Sequence, residues 1–246
     1  MNTKITILAA GHGTRMNQEI PKPLTPVDGK PILQYLMESI DASGVDDDPV
    51  VVIGGEDERL CDAFDRDCTY AVQEEQLGTA HAVASAREQL EGADAVVVLY
   101  GDHPFIKPES LQALHEKHKE SQATITMMTA EVPSFDGWHC AFTSWGRILR
   151  DEDGSIIGIR EYEDASEEER AIKEVNPSLF CFDCDWLWEN IDKIGNENAQ
   201  GEYYLTDLIA LAFEQGEDIA SLKINPEEAI GINTQEDKKR AEKLYC

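Results

Sequence analysis

Residues 8–16, LeuAlaAlaGlyHisGlyThrArgMet, run from an apolar stretch into small residues and two glycines, Gly11 and Gly13. A backbone with few side chains lets its N–H groups approach an anion closely, which suits phosphate oxygens. The segment is not a dinucleotide fingerprint, because Met16 stands where the third glycine would fall. It is not a Walker A loop either, because no Gly-Lys-Ser/Thr follows. Two cations lie close by: Arg15, whose planar fork fits phosphate oxygens, and Lys22, which sits between Pro21 and Pro23 on a stiff backbone able to aim an ammonium. In a chain this acidic they read as phosphate ligands. A tight strand-to-helix turn, an Arg15 that caps a helix and a Lys22 in a solvated loop would leave the same pattern. His81 and His103 have no partner at triad-like spacing and read as structural.

The chain has 246 residues, with 49 Asp and Glu against 21 Lys and Arg, so its formal net charge is −28. Nothing in that balance could neutralise a run of phosphates, which argues against nucleic acid as a partner, and an anionic membrane surface is disfavoured on the same ground. At 41% hydrophobic residues the chain is too apolar to be a disordered acidic one. No stretch approaches the roughly 20 apolar residues of a membrane span. The short apolar run at the N-terminus meets glycines and an arginine at once, and reads as a buried strand rather than a signal peptide. Cys181 and Cys184 form a C-x-x-C within LFCFDCDW, where a strand sends them to opposite faces, and no second pair completes a zinc site. The expectation is a soluble protein of a reducing cytoplasm with structural cysteines. Its excess acid reads as solvated surface suited to a salty interior.

Short apolar runs alternate with amphipathic ones in the first half. Strands are expected at 5–9, at 50–53, ending at Val72, at 95–100 and over 123–130; helices at 31–43, 57–66, 79–90 and 108–121. Strands separated by helices of this length imply a mixed, mostly parallel sheet flanked by helices, a Rossmann-like α/β fold with ligands beyond the carboxyl ends of the strands. In the second half, Gly146–Arg150 and Ser155–Arg160 flank AspGluAspGly as a β-hairpin. An acidic helix or loop (161–172), a strand (174–182), a helix (203–215), a strand (219–224) and a C-terminal helix (234–244) follow. No linker or repeat divides the chain, so one domain is expected, with 1–130 as one half and 131–246, an insertion plus the last helix, as the other.

LAAGHGTRM, PKPL (21–24) and DGKPIL (28–33) closely resemble the entry motif of the sugar-nucleotide pyrophosphorylases. QEEQLGTAHA (73–82), LYGD (99–102), NAQGEYYLTD (198–207) and GIN (231–233) narrow the resemblance to the uridylyltransferase half of the bifunctional bacterial N-acetylglucosamine-1-phosphate uridylyltransferase/acetyltransferases. It spans residues 5 to about 245 in unbroken order, and no hexapeptide repeat of the acetyltransferase half occurs. The resemblance implies a nucleotidyltransferase fold with a sugar-binding insertion and a Mg²⁺ cofactor held by Asp102 and Asn233. It also implies a nucleotide site at Leu8, Ala9, Ala10, Gly11, Gly13, Lys22, Gln73, Gly78, Thr79, Tyr100 and Gly101, with Gln73 and Gly78 at the uracil. Gly146, Glu161, Asn176, Tyr204 and Thr206 match residues around the sugar and its phosphate.

The reaction implied joins UTP and N-acetylglucosamine 1-phosphate into UDP-N-acetylglucosamine and pyrophosphate. The attacking phosphate is already an anion, so no general base is required. Arg15, Lys22 and Asp102 are then the catalytic residues, and their work is to let two polyanions meet. Three departures fall on the sugar side: Asn176-Pro177-Ser178 replaces the family's Asn-Thr-Gly, Trp145-Gly146-Arg147 its Tyr-Gly-Arg, and Glu163 a lysine. Another nucleotide or sugar 1-phosphate, or a catalytically weak nucleotide-sugar binding module, is the competing reading.

Overall fold

The computed structural model describes residues 1–11, 20–55, 60, 68–198 and 200–245. One sheet of ten strands runs through them: β1 (Thr3–Leu8), β4 (Val50–Gly54), β5 (Thr69–Gln73), β6 (Ala95–Tyr100), β7 (Ile125–Glu131), β8 (Arg147–Arg150), β9 (Ile156–Arg160), β10 (Glu174–Val175), β11 (Phe180–Asp183) and β12 (Ile219–Ile224). Its order is β5-β4-β1-β6-β11-β7-β10-β8-β9, with β12 along the free edge of β7. Strands β5, β4, β1, β6, β7, β12 and β8 point one way and β11, β10 and β9 the other. The sheet is thus mixed and mostly parallel, as expected from the alternation of apolar runs.

AlaValValValLeuTyr makes β6 in the middle of the sheet, buried up to Tyr100 because both faces are covered. On one face lie α1 (Ile32–Ser43) and α3 (Pro108–Ser121), which pack Leu36, Ile40, Leu111 and Leu114 against Ile5, Ile7, Val97 and Leu99. On the other lie α2 (Thr79–Ser85), α5 (Cys184–Asn190) and α6 (Asp207–Gln215), whose Val83, Leu187 and Ile209 meet Val96, Val98, Phe180 and Phe182. Cys181 belongs to the first cluster and Cys184 to the second, on opposite faces as anticipated, although Cys184 opens a helix capped by Asp183 rather than continuing the strand. Burial pushes both thiols up, Cys184 to about 12, which keeps them protonated.

Several boundaries differ from the sequence reading, each for a physical reason. The helix expected over 79–90 stops at Ser85, whose hydroxyl donates to the His81 carbonyl. The helix expected from 203 begins at Asp207, because Tyr203 pairs its backbone with Leu77 and Ala80. Asp28 and Gly29, both at positive φ, turn a short hairpin of β2 (Pro26–Val27) and β3 (Lys30–Pro31) ahead of α1. The acidic stretch 161–172 forms a short 3-10 turn and α4 (Glu167–Arg170), begun by a Ser166–Glu169 capping box. Helix α7 (Gln235–Tyr245) closes the fold. The helix expected at 57–66 lies, apart from Leu60, outside the described residues.

The strand expected over 174–182 is broken. Both β10 and β11 pair antiparallel with the same edge of β7, at 130–131 and at 125–127. Between them Pro177 offers no N–H, and Ser178 takes a left-handed φ of 60°. The Asn176 side chain accepts from the Ser178 N–H at 2.8 Å and closes the bulge. Past it, β10 pairs with β8 while β11 pairs with β6, so the sheet splits there.

Buried Arg147 fixes the loop leading into β8. Its guanidinium donates to the carbonyls of Trp145, Thr143 and Arg170 and lies 4.5 Å from the Phe135 ring. Arg147→Met leaves those carbonyls without a donor, and is expected to lower unfolding free energy by about 3 kcal/mol in urea denaturation. A change under about 0.5 kcal/mol would show that water replaces it at no cost.

Candidate functional site

Two clefts open where the parallel strands end. One, of about 220 Å³, is lined by Leu8, Ala9, Ala10, Gly11, Lys22, Gln73, Gly78, Thr79, Tyr100, Gly101 and Asp102. The other, of about 210 Å³, lies in the split of the sheet and is lined by Gly146, Glu161, Asn176, Asn233 and Trp145 among others. Tyr100 and Asp102 line both.

The first cleft is built from close backbone approaches. Gly101 N–H donates to the Leu8 carbonyl at 3.0 Å and Ala9 N–H to Val52 at 2.9 Å, carrying the chain past the end of β1. Gly54 touches this turn: a Cβ there would stand 2.7 Å from the Ala10 carbonyl oxygen. Gly78, at φ 124°, faces the Tyr203 backbone, and a Cβ would stand 2.5 Å from its carbonyl. The Thr79 hydroxyl accepts from Leu205 N–H at 2.9 Å, which ties the loop before α2 to the segment before α6. Buried Gln73 donates its amide to the Gly78 carbonyl at 3.0 Å, and His81 Nδ1 lies 3.1 Å from the same nitrogen. The carboxamide nitrogen thus holds this loop, a use of Gln73 not foreseen from the sequence.

At the junction, the Lys22 ammonium donates to Asp102 Oδ2 at 2.5 Å and to Asn233 Oδ1 at 2.6 Å. Lys22 sits on a 3-10 turn (Lys22–Leu24), and Ile232 N–H donates to the Asp102 carbonyl at 2.9 Å, which brings the 231–233 loop over the end of β6. Burial raises the Asp102 carboxyl, but Lys22 and then His103 outweigh it and hold the group down at about 2. Burial pushes His103 below its usual value, so its ring is neutral at neutral pH. That ring stacks on Trp145 with centroids 5.9 Å apart and lines the second cleft, a position not foreseen for a histidine that the sequence reading treated as structural. Asp102 and Asn233 present two hard oxygens converging on one cation, the donor set of a divalent ion that takes its remaining ligands from phosphate and water. Among the described residues, no three His, Cys, Asp or Glu side chains converge on a further metal position.

In the second cleft Asn176 N–H donates to the Gly146 carbonyl at 2.9 Å. The Thr206 hydroxyl donates to Glu161 Oε1 at 3.2 Å, which makes Thr206 a support for Glu161 rather than part of the lining. Tyr204 is half-buried and also outside the lining of both clefts, among Glu202, Glu161, Asp164 and Asp207. The Tyr100 hydroxyl bonds Thr79 on one side and Ser178 on the other, so this ring is the partition between the clefts. Gly13 and Arg15 lie outside the described residues. Pro23, Gln76, Ala82 and Glu202 join the lining of the first cleft without having been anticipated.

Residues 5–158 match the family described as the MobA-like NTP transferase domain. The chain belongs to that family. This NTP transferase chain is 41% identical over 238 residues to the bifunctional protein GlmU of Brevibacillus brevis, covering 96% of this chain and 50% of that protein. It is 38% identical to the bifunctional protein GlmU of Desulfotalea psychrophila, covering 94% and 67%. The chain spans about half the length of most of the curated relatives it matches. In fold it is similar to a UDP-glucose pyrophosphorylase complexed with UDP-glucose, with a TM-score of 0.78 at 21% identity over 100% of this chain and 98% of that one. A CMP:2-keto-3-deoxy-manno-octonic acid synthetase gives 0.73 at 18% identity, covering 99% of this chain and 98% of that one.

Glu161 offers a test of the second cleft. Burial raises its carboxyl above the usual 4.5; the Thr206 hydrogen bond opposes this, and Asp207 and Asp164 add to it. A raised carboxyl binds its proton more tightly in the folded chain, so its ionisation costs stability as pH rises from the unfolded value through the folded one. Glu161→Gln keeps an acceptor for Thr206 and removes that cost. The variant is expected to unfold at higher urea than the native chain at pH 7, with the gain vanishing below about pH 4.5. A variant less stable at pH 7 would contradict the assignment.

Proposed function

We propose that this chain is a divalent-metal-dependent uridylyltransferase, making UDP-N-acetylglucosamine and pyrophosphate from UTP and N-acetylglucosamine 1-phosphate. The observation that carries this reading is the meeting of two clefts at a single carboxylate, Asp102, already engaged with a cation. A transfer between two phosphates needs two such chambers with neutralising charge at their junction.

Residues 1–130 take the nucleotide. The turn at Leu8–Gly11 approaches the triphosphate, a task the family resemblance extends to Gly13; Gln73, Gly78 and Thr79 face the base; Tyr100 and Gly101 close the floor. Residues 131–246 take the sugar, with the ionised Glu161 and the Asn176 amide accepting and donating to its hydroxyls, Gly146 leaving room beside them, and Tyr204 and Thr206 backing the site. An oxygen of the sugar phosphate attacks the α-phosphorus; the bond from that phosphorus to the bridging oxygen breaks, and pyrophosphate leaves with its electron pair. Lys22, lining the first cleft, offsets charge on the α-phosphate and the departing pyrophosphate, and the family resemblance assigns the same task to Arg15. Asp102 and Asn233 would hold a divalent cation such as Mg²⁺, which would supply further neutralisation of the phosphate oxygens. No proton transfer is required of the chain, in keeping with a His103 that is neutral and stacked. UTP is a cytoplasmic metabolite, and the described residues contain no helix long and apolar enough to cross a membrane.

A second reading keeps the chemistry and changes the sugar. Trp145 over His103, together with Pro177 and Ser178, reshapes the wall of the second cleft relative to the family pattern. Pyrophosphate release across a panel of nucleoside triphosphates and sugar 1-phosphates separates the two. The expected result is fastest turnover with UTP and N-acetylglucosamine 1-phosphate, and a loss of about 10²-fold or more in kcat/KM for Lys22→Ala, Arg15→Ala or Asp102→Asn. Faster turnover with another sugar 1-phosphate supports the second reading. No turnover with any pair, alongside binding of a UDP-sugar, would leave only a binding module.

A further inference from the structure

The Lys22 ammonium touches the same two oxygens to which the proposed function assigns the divalent cation. Asp102 and Asn233 are fixed by the backbone: Ile232 N–H donates to the Asp102 carbonyl, and Asn233 N–H donates to Asp237 Oδ2 at 3.2 Å. The Lys22 backbone is fixed too, since Leu24 N–H donates to Pro21 and Thr25 N–H to Lys22 across the prolines. With these backbones held, the long lysine side chain, with four rotatable bonds, has the most room to carry its charge elsewhere. A divalent cation sits about 2.1 Å from its oxygen ligands. An ammonium at 2.5 and 2.6 Å from those oxygens would therefore share them with it, at a separation where a double and a single positive charge repel strongly.

We propose that Lys22 and the divalent cation exchange places. Lys22 holds the Asp102–Asn233 position, and the triphosphate, entering the cleft that Lys22 also lines, draws the ammonium onto its own oxygens and gives that position to the cation. Cation binding is then coupled to nucleotide binding: the cation alone must break two contacts of Lys22, whereas with nucleotide those contacts are replaced. This rests on the metal reading given above and adds to it a second role for Lys22, as the cation's competitor.

The test is Mn²⁺ binding to the whole chain without nucleotide, followed by electron paramagnetic resonance at fixed ionic strength. Lys22→Met is expected to bind one Mn²⁺ more tightly than the native chain by roughly ten-fold or more, the effect of removing an ammonium whose two contacts compete for the site. Lys22→Gln gives a second neutral variant with the same expectation, and Lys22→Arg, which keeps the charge, is expected to stay near native affinity. Adding Asp102→Asn to Lys22→Met should abolish the tight site and leave the weak background of an acidic surface. If both neutral variants bind Mn²⁺ no more tightly than native while Asp102→Asn still weakens it, the exchange is overturned and the metal site stands. If Asp102→Asn changes nothing in either background, the metal reading fails and takes the exchange with it.

Discussion

A carboxylate at the mouth of two clefts must be paired with a cation, and much of the site is arranged around that pairing. Asp102 follows β6, a strand buried up to Tyr100, and its side chain is only 15% exposed, so burial works against its charge. Leaving such a charge alone would cost several kcal/mol. Lys22 meets it from 80 residues away and Asn233 completes the contact from the far end of the chain. In a chain of net charge −28, an ammonium aimed inward is a scarce resource, and placing it at the one carboxylate shared by both clefts gives the site its polarity. Among the described residues lining the two clefts, Lys22 is the one lysine or arginine that an anionic ligand meets.

The fold serves this point by stopping its strands at different places. Backbone contacts at Gly54, Gly78 and Gly101 bring the β1 turn, the loop before α2 and the end of β6 within reach of one another, forming a chamber with little side-chain bulk. The break at Asn176–Ser178 does the complementary work. It interrupts an otherwise continuous pairing along β7, diverts β10 toward β8, and leaves the second chamber between β6 and β8. Arg147 holds the loop that carries Trp145 and Gly146 into that chamber, so a residue buried in the core governs the shape of the second cleft. Tyr100, bonded to Thr79 and Ser178, ties both chambers to one strand end.

What could be read in advance followed from local rules. The run AlaValValValLeuTyr identified the central strand, and Gly44 and Gly216, both left-handed, marked the ends of α1 and α6 where expected. Most residues lining the first cleft were named through the family resemblance, whose motifs are local in sequence, whereas Pro23, Gln76, Ala82 and Glu202 were not. What escaped the sequence was set by distant partners. The start of α6 is delayed by the pairing of Tyr203 with Leu77, which no period in the sequence records. The Lys22–Asp102–Asn233 contact spans separations of 80 and 211 residues and leaves no local trace. Pro177 did carry a signal, a missing N–H within an apparent strand, which registered only as a departure from the family pattern rather than as the break that shapes a cleft.

In the proposed function, Asp102 is where both cations and both substrates are brought together. A crystal structure of the chain with Mn²⁺ and UTP, with manganese located by its anomalous scattering, tests this most directly. The expected result is a manganese peak bridging Asp102, Asn233 and phosphate oxygens, with the Lys22 ammonium moved onto the triphosphate. Manganese bound elsewhere, with Lys22 still on Asp102 and Asn233, would contradict it.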